Sequence, residues 1–213
     1  MLITDTLKAD HRLIIKYINL MEKYAEYDIK CSAGADDSML MAGAASFFQF
    51  IDEFAVTYHH AKESIFYKYM EEPGVLINRN PLPMVFSDHS KASERLADIK
   101  GSFYSNNVAE LIIAVERYVV LSMTHMFKED NILHAMAEDR IADSRKTEML
   151  KKFEEIDRQL DIRSILEKYN NLFFELQIYY DKKYRQLAKQ STKNINWRVF
   201  PVNSRIGRRL EMA

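Results

Sequence analysis

The chain has 213 residues, of which 47% are hydrophobic and 29% are charged, with only 5 glycines and 4 prolines. This length and balance predict one soluble, mostly helical domain with room for an appendage, and they disfavour a sheet-rich fold. The formal net charge of -1 argues against a general nucleic-acid-binding protein, and no apolar run approaches the roughly 20 residues of a membrane helix. We therefore expect neither nucleic acid nor a membrane as partner.

The start of the chain and its cysteine content predict a cellular compartment. The opening MLITDTLKADHRLI has early acidic residues and lacks the basic-then-apolar pattern of a secretory signal. Cys31 is the single cysteine, so no internal disulfide is available. Both features favour the reducing cytoplasm.

Apolar residues at helical spacing predict four long helices. The first spans about residues 5–28, and the small and turn-forming residues at 31–37 separate it from a second that ends at Pro73 and Gly74. A third follows NRNPLP and stops at SNN, 105–107, and a fourth spans about 108–139. The predicted fold class is all-α: an up-down-up-down four-helix bundle with a C-terminal helical extension.

The chain divides into three predicted parts. Residues 1–142 form the bundle, and residues 143–190 continue as a helical extension whose apolar stripe is looser than those of the first four helices. Residues 191–213 form a basic tail, in which five basic residues stand against Glu211. The tail is interpreted as a solvated or docking segment.

The stretch YHHAKESIF, 58–66, places two adjacent histidines before Glu63. Residues four apart lie about 40° apart around a helix, so His59 and Glu63 share a face, but His60 is also within reach at three residues. Spacing alone therefore leaves both histidines open. The stripe around His59 is apolar and that around His60 is polar, which predicts that His59 points inward and His60 points toward water.

The same pair of residue types recurs on the fourth helix, where THMFKED, 124–130, places His125 four residues before Glu129. The first and third helices each offer one histidine after an aspartate, His11 and His89. Two helical hairpins thus carry the same set of imidazoles and carboxylates.

Turn positions indicate that these residues lie at one level of the bundle. The midpoints between successive histidines of the set fall at residues 35, 74 and 107, each inside a predicted turn. Such bundles build metal sites from side chains on facing helices. Four buried imidazoles and two buried carboxylates would cost several kcal/mol without a metal or other partners, so the sequence predicts a metal site.

A third pair with the same spacing, His134 and Glu138, is interpreted as a chance match. His134 lies nine residues beyond His125, which is half a turn away around an α-helix. We expect it on the opposite face, exposed or packed on the extension.

Three other polar residues have open roles. Asp10 and Asp88 each precede a histidine of the set and point about a quarter turn away, which indicates surface charge or, alternatively, support of a metal ligand. Tyr118 lies seven residues before His125 and either packs in the core or lines a ligand pocket.

The ordered motifs ADH at 9–11, HHAKE at 59–63, DH at 88–89 and HMFKE at 125–129 resemble those of the hemerythrin-like, or HHE cation-binding, domains. The resemblance covers residues 1 to about 142 and implies a non-haem di-iron four-helix bundle. It implies two Fe ions joined by an oxo or hydroxo bridge, while imidazole and carboxylate ligands also suit Mn or Zn. The implied metal ligands are His11, His59, Glu63, His89, His125 and Glu129.

The resemblance also bears on function. Oxygen-carrying hemerythrins have a second histidine one turn beyond the first on the third helix, where this chain has Ser93. The four-histidine, two-glutamate set is more similar to bacterial iron-centre repair proteins and iron-sensing bundles. It implies a protein that binds or senses O2, NO or peroxide, in iron handling or in oxidative or nitrosative stress.

Two other functions remain as alternatives. One is a regulatory or scaffold module in which residues 144–190 bind a protein partner or self-associate in response to the metal site. The other is an enzyme, such as a peroxidase-like or NO-reducing catalyst, although no separate acid-base constellation is visible in the sequence.

Overall fold

A computed structural model describes residues 2–76 and 81–194, with side chains to residue 189, and contains no strand within those ranges. The helices are α1 (Asp5–Cys31), α2 (Met39–Phe50), α3 (His60–Met70), α4 (Leu82–Tyr104), α5 (Val108–Lys128), α6 (His134–Arg140), α7 (Asp143–Gln159) and α8 (Ile162–Asn194). Two π-helical segments, Ile51–His59 and Glu129–Leu133, join α2 to α3 and α5 to α6. The second and fourth helices of the bundle are therefore continuous, and the predicted all-α fold with a C-terminal helical extension is confirmed.

Capping residues explain where the bundle helices begin and end. Ser32 closes α1 in the left-handed conformation, and Ser38 accepts a hydrogen bond from the backbone N–H of Met41 at the start of α2. Asn107 caps α5 in the same way through the backbone N–H of Glu110. Gly74 has φ +90, so the turn after α3 uses the one residue type that adopts this conformation at no steric cost. The predicted turns lie where the sequence placed them.

Aromatic packing fills the bundle beyond the histidines. The rings of Tyr17 on α1 and Phe50 on α2 stack with centroids 3.5 Å apart. A Cβ at Gly43 would lie 2.7 Å from the ring of Tyr24, so only glycine allows α2 to approach α1 so closely. Close packing of this kind holds the histidine-bearing helices in a fixed register.

By length and composition alone, one helix of the described chain, Met39–Met70, is apolar enough to cross a membrane. Its apolar window is 56% buried inside the bundle. The core helix of a soluble protein passes the same test, so the finding is weak evidence for a membrane span.

The first part of the extension packs against the bundle. The described residues up to Tyr180 form one compact unit, and the described residues from Asp181 onward belong to a second. Within the first unit, Phe153 of α7 and Tyr169 of α8 are buried, and the hydroxyl of Tyr17 donates to the backbone carbonyl of Tyr169 at 2.6 Å. The predicted basic tail lies outside the described residues, apart from the helical backbone of residues 191–194.

Candidate metal centre

Six side chains from the four bundle helices converge on one point. The histidines come from α1, the first π-helical segment, α4 and α5, and the two glutamates come from α3 and from the start of the second π-helical segment. They are His11, His59, Glu63, His89, His125 and Glu129, the set expected from the sequence. Their arrangement divides into two groups of ligand atoms, each within 4.8 Å of one another.

One group is formed by His11, His59 and Glu63. Nε2 of His59 lies 2.9 Å from Oε1 of Glu63, and Nε2 of His11 lies 3.7 Å from the same oxygen. Nε2 of His11 also lies 3.4 Å from Oε2 of Glu129. The side chains of His11 and His59 are 1% and 3% exposed, so this half of the centre is closed to solvent.

The other group is formed by His89, His125, Glu129 and Glu63. Nε2 of His89 and Nε2 of His125 are 2.9 Å apart, and Nε2 of His125 lies 3.2 Å from Oε2 of Glu129. Nε2 of His89 lies 3.4 Å from Oε2 of Glu63. Glu63 therefore directs one oxygen toward each group.

The atoms that face the centre lack ordinary partners. Both oxygens of Glu63, Oε2 of Glu129 and Nε2 of His11 are buried without a hydrogen bond to any part of the chain that the structure describes. Unsatisfied buried polar atoms are costly, and cations bound in the two groups would satisfy these four atoms. The mixture of imidazole and carboxylate suits Fe, Mn or Zn, so the residues present fit a metal ion.

The charges of the metal-free protein compensate one another. Burial by itself lowers the pKa of His59, but Glu63 and Asp10 outweigh it and raise the pKa to about 9. Burial opposes ionisation of Glu63, yet His59 and His11 hold its pKa well below the ordinary value. A cation at Nε2 of His59 must therefore displace a proton that the apo protein holds near neutral pH.

The two aspartates that precede histidines belong to the site. Surface charge, the first interpretation of Asp10 and Asp88, is wrong because both residues are buried. Oδ2 of Asp10 lies 3.4 Å from Nδ1 of His59, and Oδ2 of Asp88 lies 3.8 Å from Nδ1 of His125. Each aspartate thus faces the histidine of a neighbouring helix and not the one beside it in sequence. Asp10 fixes the ring nitrogen of His59 opposite the centre, whereas Asp88 lies beyond hydrogen-bonding distance of His125 and accepts a hydrogen bond from Nζ of Lys128 at 2.7 Å.

Asp130 plays the same part for His11 and was missed from the sequence. The Nδ1 of His11 donates to Oδ1 of Asp130 over 2.9 Å. Although burial would raise the pKa of Asp130, the hydrogen bonds from His11 and His134 lower it, so the carboxylate is ionised. The sequence feature that could have identified Asp130 is its position directly after Glu129.

His134 is absent from both ligand groups, in keeping with its interpretation as a chance match, but the position expected for it is wrong. The residue is 1% exposed, its ring stacks on that of His11 with centroids 5.7 Å apart, and its Nδ1 lies 3.1 Å from Oδ1 of Asp130. The half-turn calculation assumed an α-helix throughout, but Glu129–Leu133 is π-helical. Because π-helical bonds connect residues five apart, each turn takes more residues, and His134 rotates toward α1.

Tyr67 is a further residue of the site that was not singled out. Its hydroxyl donates to Oε1 of Glu129, which leaves Oε2 of that carboxylate facing the histidines. Burial, reinforced by Glu63 and Glu129, raises the pKa of Tyr67, so the phenol stays protonated. Tyr67 follows Glu63 by four residues, the same helical spacing that links His59 to Glu63.

A cavity of about 60 Å³ adjoins the His89 and His125 half of the centre. Its wall is mostly aliphatic apart from the polar residues that line it, which are His59, His60, His89, Ser93, Tyr118, Ser122 and His125. A water needs roughly 10–15 Å³ of such space, so the cavity has room for a diatomic molecule or a few waters. Tyr118 both packs in the core and lines this cavity, which answers the open question about it.

His60 faces water in part, as expected, and also lines the cavity. Its side chain is 31% exposed, and its ring stacks on that of His89 with centroids 4.3 Å apart. Burial, with smaller contributions from His89 and His59, lowers its pKa to about 4 despite Glu63. His60 is therefore a neutral imidazole in the cavity wall, and its Nε2 lies 4.0 Å from Oε2 of Glu63.

A four-helix bundle with histidines and glutamates at one level of its core defines a class of helical metal-binding proteins. Comparison with protein families identifies the class further. The family model described as the hemerythrin HHE cation binding domain matches residues 2–137. The chain belongs to this family, whose domains bind metal ions, typically iron, and small ligands at the metal site. Comparison with curated proteins and with solved structures gave no significant match.

Proposed function

We propose that this protein is a cytoplasmic, non-haem di-iron protein that binds or senses O2, NO or peroxide and acts in iron handling or in oxidative or nitrosative stress. The observation that carries the proposal is the convergence of six potential ligand side chains, three of which direct unsatisfied atoms at the centre, beside a small, largely apolar cavity. The four-histidine, two-glutamate set favours a protein similar to iron-centre repair and iron-sensing bundles over an oxygen carrier.

The residues divide into two ligand sets. His11, His59 and Glu63 would hold one iron, and His89, His125 and Glu129 would hold the other, with Glu63 facing both. When bound, iron supplies a redox-active cation that takes up diatomic ligands or peroxide. The two glutamate carboxylates offset part of the added positive charge.

The surrounding residues of the chain prepare this centre. Asp10 and Asp130 fix the rings of His59 and His11, so that Nε2 of each points inward. Tyr67 holds Glu129 in one orientation. The aliphatic wall of the cavity excludes bulk water, while the neutral imidazole of His60 and the Tyr118 hydroxyl offer polar contacts to a small ligand on the His89 side.

The test is metal analysis combined with optical spectroscopy of the protein purified from iron-supplied cells. We expect two irons per chain, and at least one ion lost in His59→Ala and in His125→Ala. His60→Ala is the matched control, since His60 is adjacent in sequence to His59 and keeps its Nε2 outside both ligand groups. Full metal content in His59→Ala together with loss in His60→Ala would reverse the assignment. NO added to the ferrous protein should change its spectrum, and an unchanged spectrum would contradict ligand binding.

The regulatory alternative draws on the extension. The apolar residues of α7 and α8 that face the bundle are buried, so a protein partner would have to use other residues, such as Phe174 and Ile178, which are 68% and 63% exposed. Under this alternative, replacing both residues with serine should abolish partner binding or self-association. Under the first proposal, the replacement should leave the association state unchanged. Size-exclusion chromatography and light scattering measure the self-association.

A further inference from the structure

Lys62 carries an ammonium group buried at the edge of the metal centre, and the proposed function gives it no role. The residue is 1% exposed and lies directly before Glu63 on α3. Its Nζ lies 2.8 Å from Oδ1 of Asp157 and 3.8 Å from Oδ2 of Asp10, and it donates to the hydroxyl of Tyr58. A fully buried lysine is rare unless it is paired, so these contacts determine where its charge acts.

Asp157, the carboxylate nearest to Nζ of Lys62, lies outside the family domain. It lies on α7, beyond the matched residues 2–137. Its Oδ1 also accepts a hydrogen bond from Tyr58 at 2.8 Å, and the ring of Phe153, one turn earlier on α7, lies 6.0 Å from Nζ of Lys62. The extension therefore both shields the ammonium group from water and supplies its nearest carboxylate.

The same oxygen of Asp10 faces two cationic groups. Oδ2 of Asp10 is 3.4 Å from Nδ1 of His59 and 3.8 Å from Nζ of Lys62. A carboxylate that accepts the outer N–H of a ligating histidine increases the basicity of that ligand. Because Lys62 competes for this oxygen, its position sets how much negative charge Asp10 offers to His59.

We propose that Asp157 and Lys62 are positioning residues of the metal centre, through which the C-terminal extension adjusts the electron donation of His59 to its metal ion. The inference rests on the proposed function, since it requires an ion at His59. Asp157 holds the ammonium group 1.0 Å nearer to itself than to Asp10, as the distances of 2.8 and 3.8 Å give. Asp10 thereby keeps its charge available to the imidazole.

The two residues should act in opposite directions. In Asp157→Asn the ammonium group loses its nearest charged partner and moves to Asp10, which weakens the support of His59. The ion then receives less electron density, and the midpoint potential rises. In Lys62→Met the competing cation is gone, Asp10 serves His59 alone, and the potential falls. Loss of packing would shift both variants in the same direction.

The experiment is an optical redox titration of the full-length, iron-loaded protein, after its metal content has been measured. The double variant Lys62→Met with Asp157→Asn should match Lys62→Met, because Asp157 acts through Lys62. Glu154→Gln is the matched control, as Glu154 is an exposed acidic residue on the same helix, and it should leave the potential unchanged. Lys62→Gln provides a second removal of the charge if Lys62→Met does not fold.

Each outcome has a defined meaning. Shifts of opposite sign in the single variants, with the double variant following Lys62→Met, support the inference. Unchanged potentials, shifts of the same sign, or single-variant shifts that simply add in the double variant, all at full metal content, would overturn the inference and leave the proposed function standing. Absence of metal from the unmutated protein would overturn both.

Discussion

The hydrogen bond from Tyr67 to Glu129 provides a direct test of how the site holds its carboxylates. Tyr67→Phe removes the donor and leaves a carboxylate that is 1% exposed. A hydrogen bond to a charged group contributes about 1.5–3 kcal/mol, against about 0.5–1.5 kcal/mol between neutral groups. Tyr17→Phe is the control, because Tyr17 is equally buried but donates to the neutral backbone carbonyl of Tyr169.

The assay is urea unfolding of the metal-free proteins at pH 7, with the free energy of unfolding compared among the three. Tyr67→Phe should lose about twice as much free energy as Tyr17→Phe. Equal losses, or a loss below about 0.5 kcal/mol for Tyr67→Phe, would refute the view that this phenol stabilises the buried carboxylate of Glu129. In the iron-loaded protein the variant should also shift the optical spectrum, since Oε1 of Glu129 becomes available to the ion, whereas Tyr17→Phe should not.

Three other predictions concern the metal and its ligands. Removing the metal should lower the melting temperature, because six polar groups then face one another without a cation; equal melting temperatures by calorimetry would place the metal elsewhere. In the metal-free protein, the raised pKa of His59 stabilises the fold fully below the unfolded value of about 6.5, and this contribution is lost as the pH rises through about 9. Unfolding free energy should therefore fall by on the order of 3 kcal/mol over that range, and a rise would contradict the assignment of the proton. Finally, the ferrous protein should oxidise quickly in oxygenated buffer, and Ser93→His, at the cavity wall one turn beyond His89, should slow that oxidation in stopped-flow absorbance. A ferrous protein stable for hours in air would restore oxygen storage as the function.

The sequence predicted the convergence of these six side chains because helical spacing and turn positions are local, periodic features. The spacing of His59 from Glu63 and of His125 from Glu129 fixes a common face on each helix, and the turn positions fix a common level. Neither inference needs knowledge of side-chain packing. The same simplicity explains the error at His134, since the fixed rotation of an α-helix fails where Glu129–Leu133 is π-helical. No residue type in that segment marks the change of register.

The histidine partners of the supporting aspartates could not be predicted from the sequence, for a different reason. Asp10 lies beside His11 in the chain but faces His59, 49 residues away, and Asp130 faces His11 across 119 residues. Such pairs depend on how two helices are rotated against each other, and helical spacing within one element does not determine that rotation. The contact between Lys62 and Asp157 adds a further helix, whose docking on the bundle the looser apolar stripe of the extension left undefined.

The two halves of the centre are unequal, and this bears on how ligand binding and the extension communicate. His11 and His59 are enclosed, and their outer nitrogens contact Asp130 and Asp10. His89 and His125 are 21% and 12% exposed and border the cavity. His59 also lines the cavity, but the exposed fractions are higher at His89 and His125, so a small ligand arrives from the open half, while Asp157 and Lys62 act on the closed one.

Glu63 connects these halves, with Oε1 toward His59 and Oε2 toward His89. A change in charge at the open half alters the electric field at Glu63. Because the same carboxylate contacts His59, the closed half experiences the change as well. A signal from the cavity to α7 would then pass from Glu63 to His59 and on through Asp10 and Lys62. The direction is reversible in energetic terms, because any coupling by which the extension alters the affinity for a ligand requires that the ligand alter the docking of the extension equally.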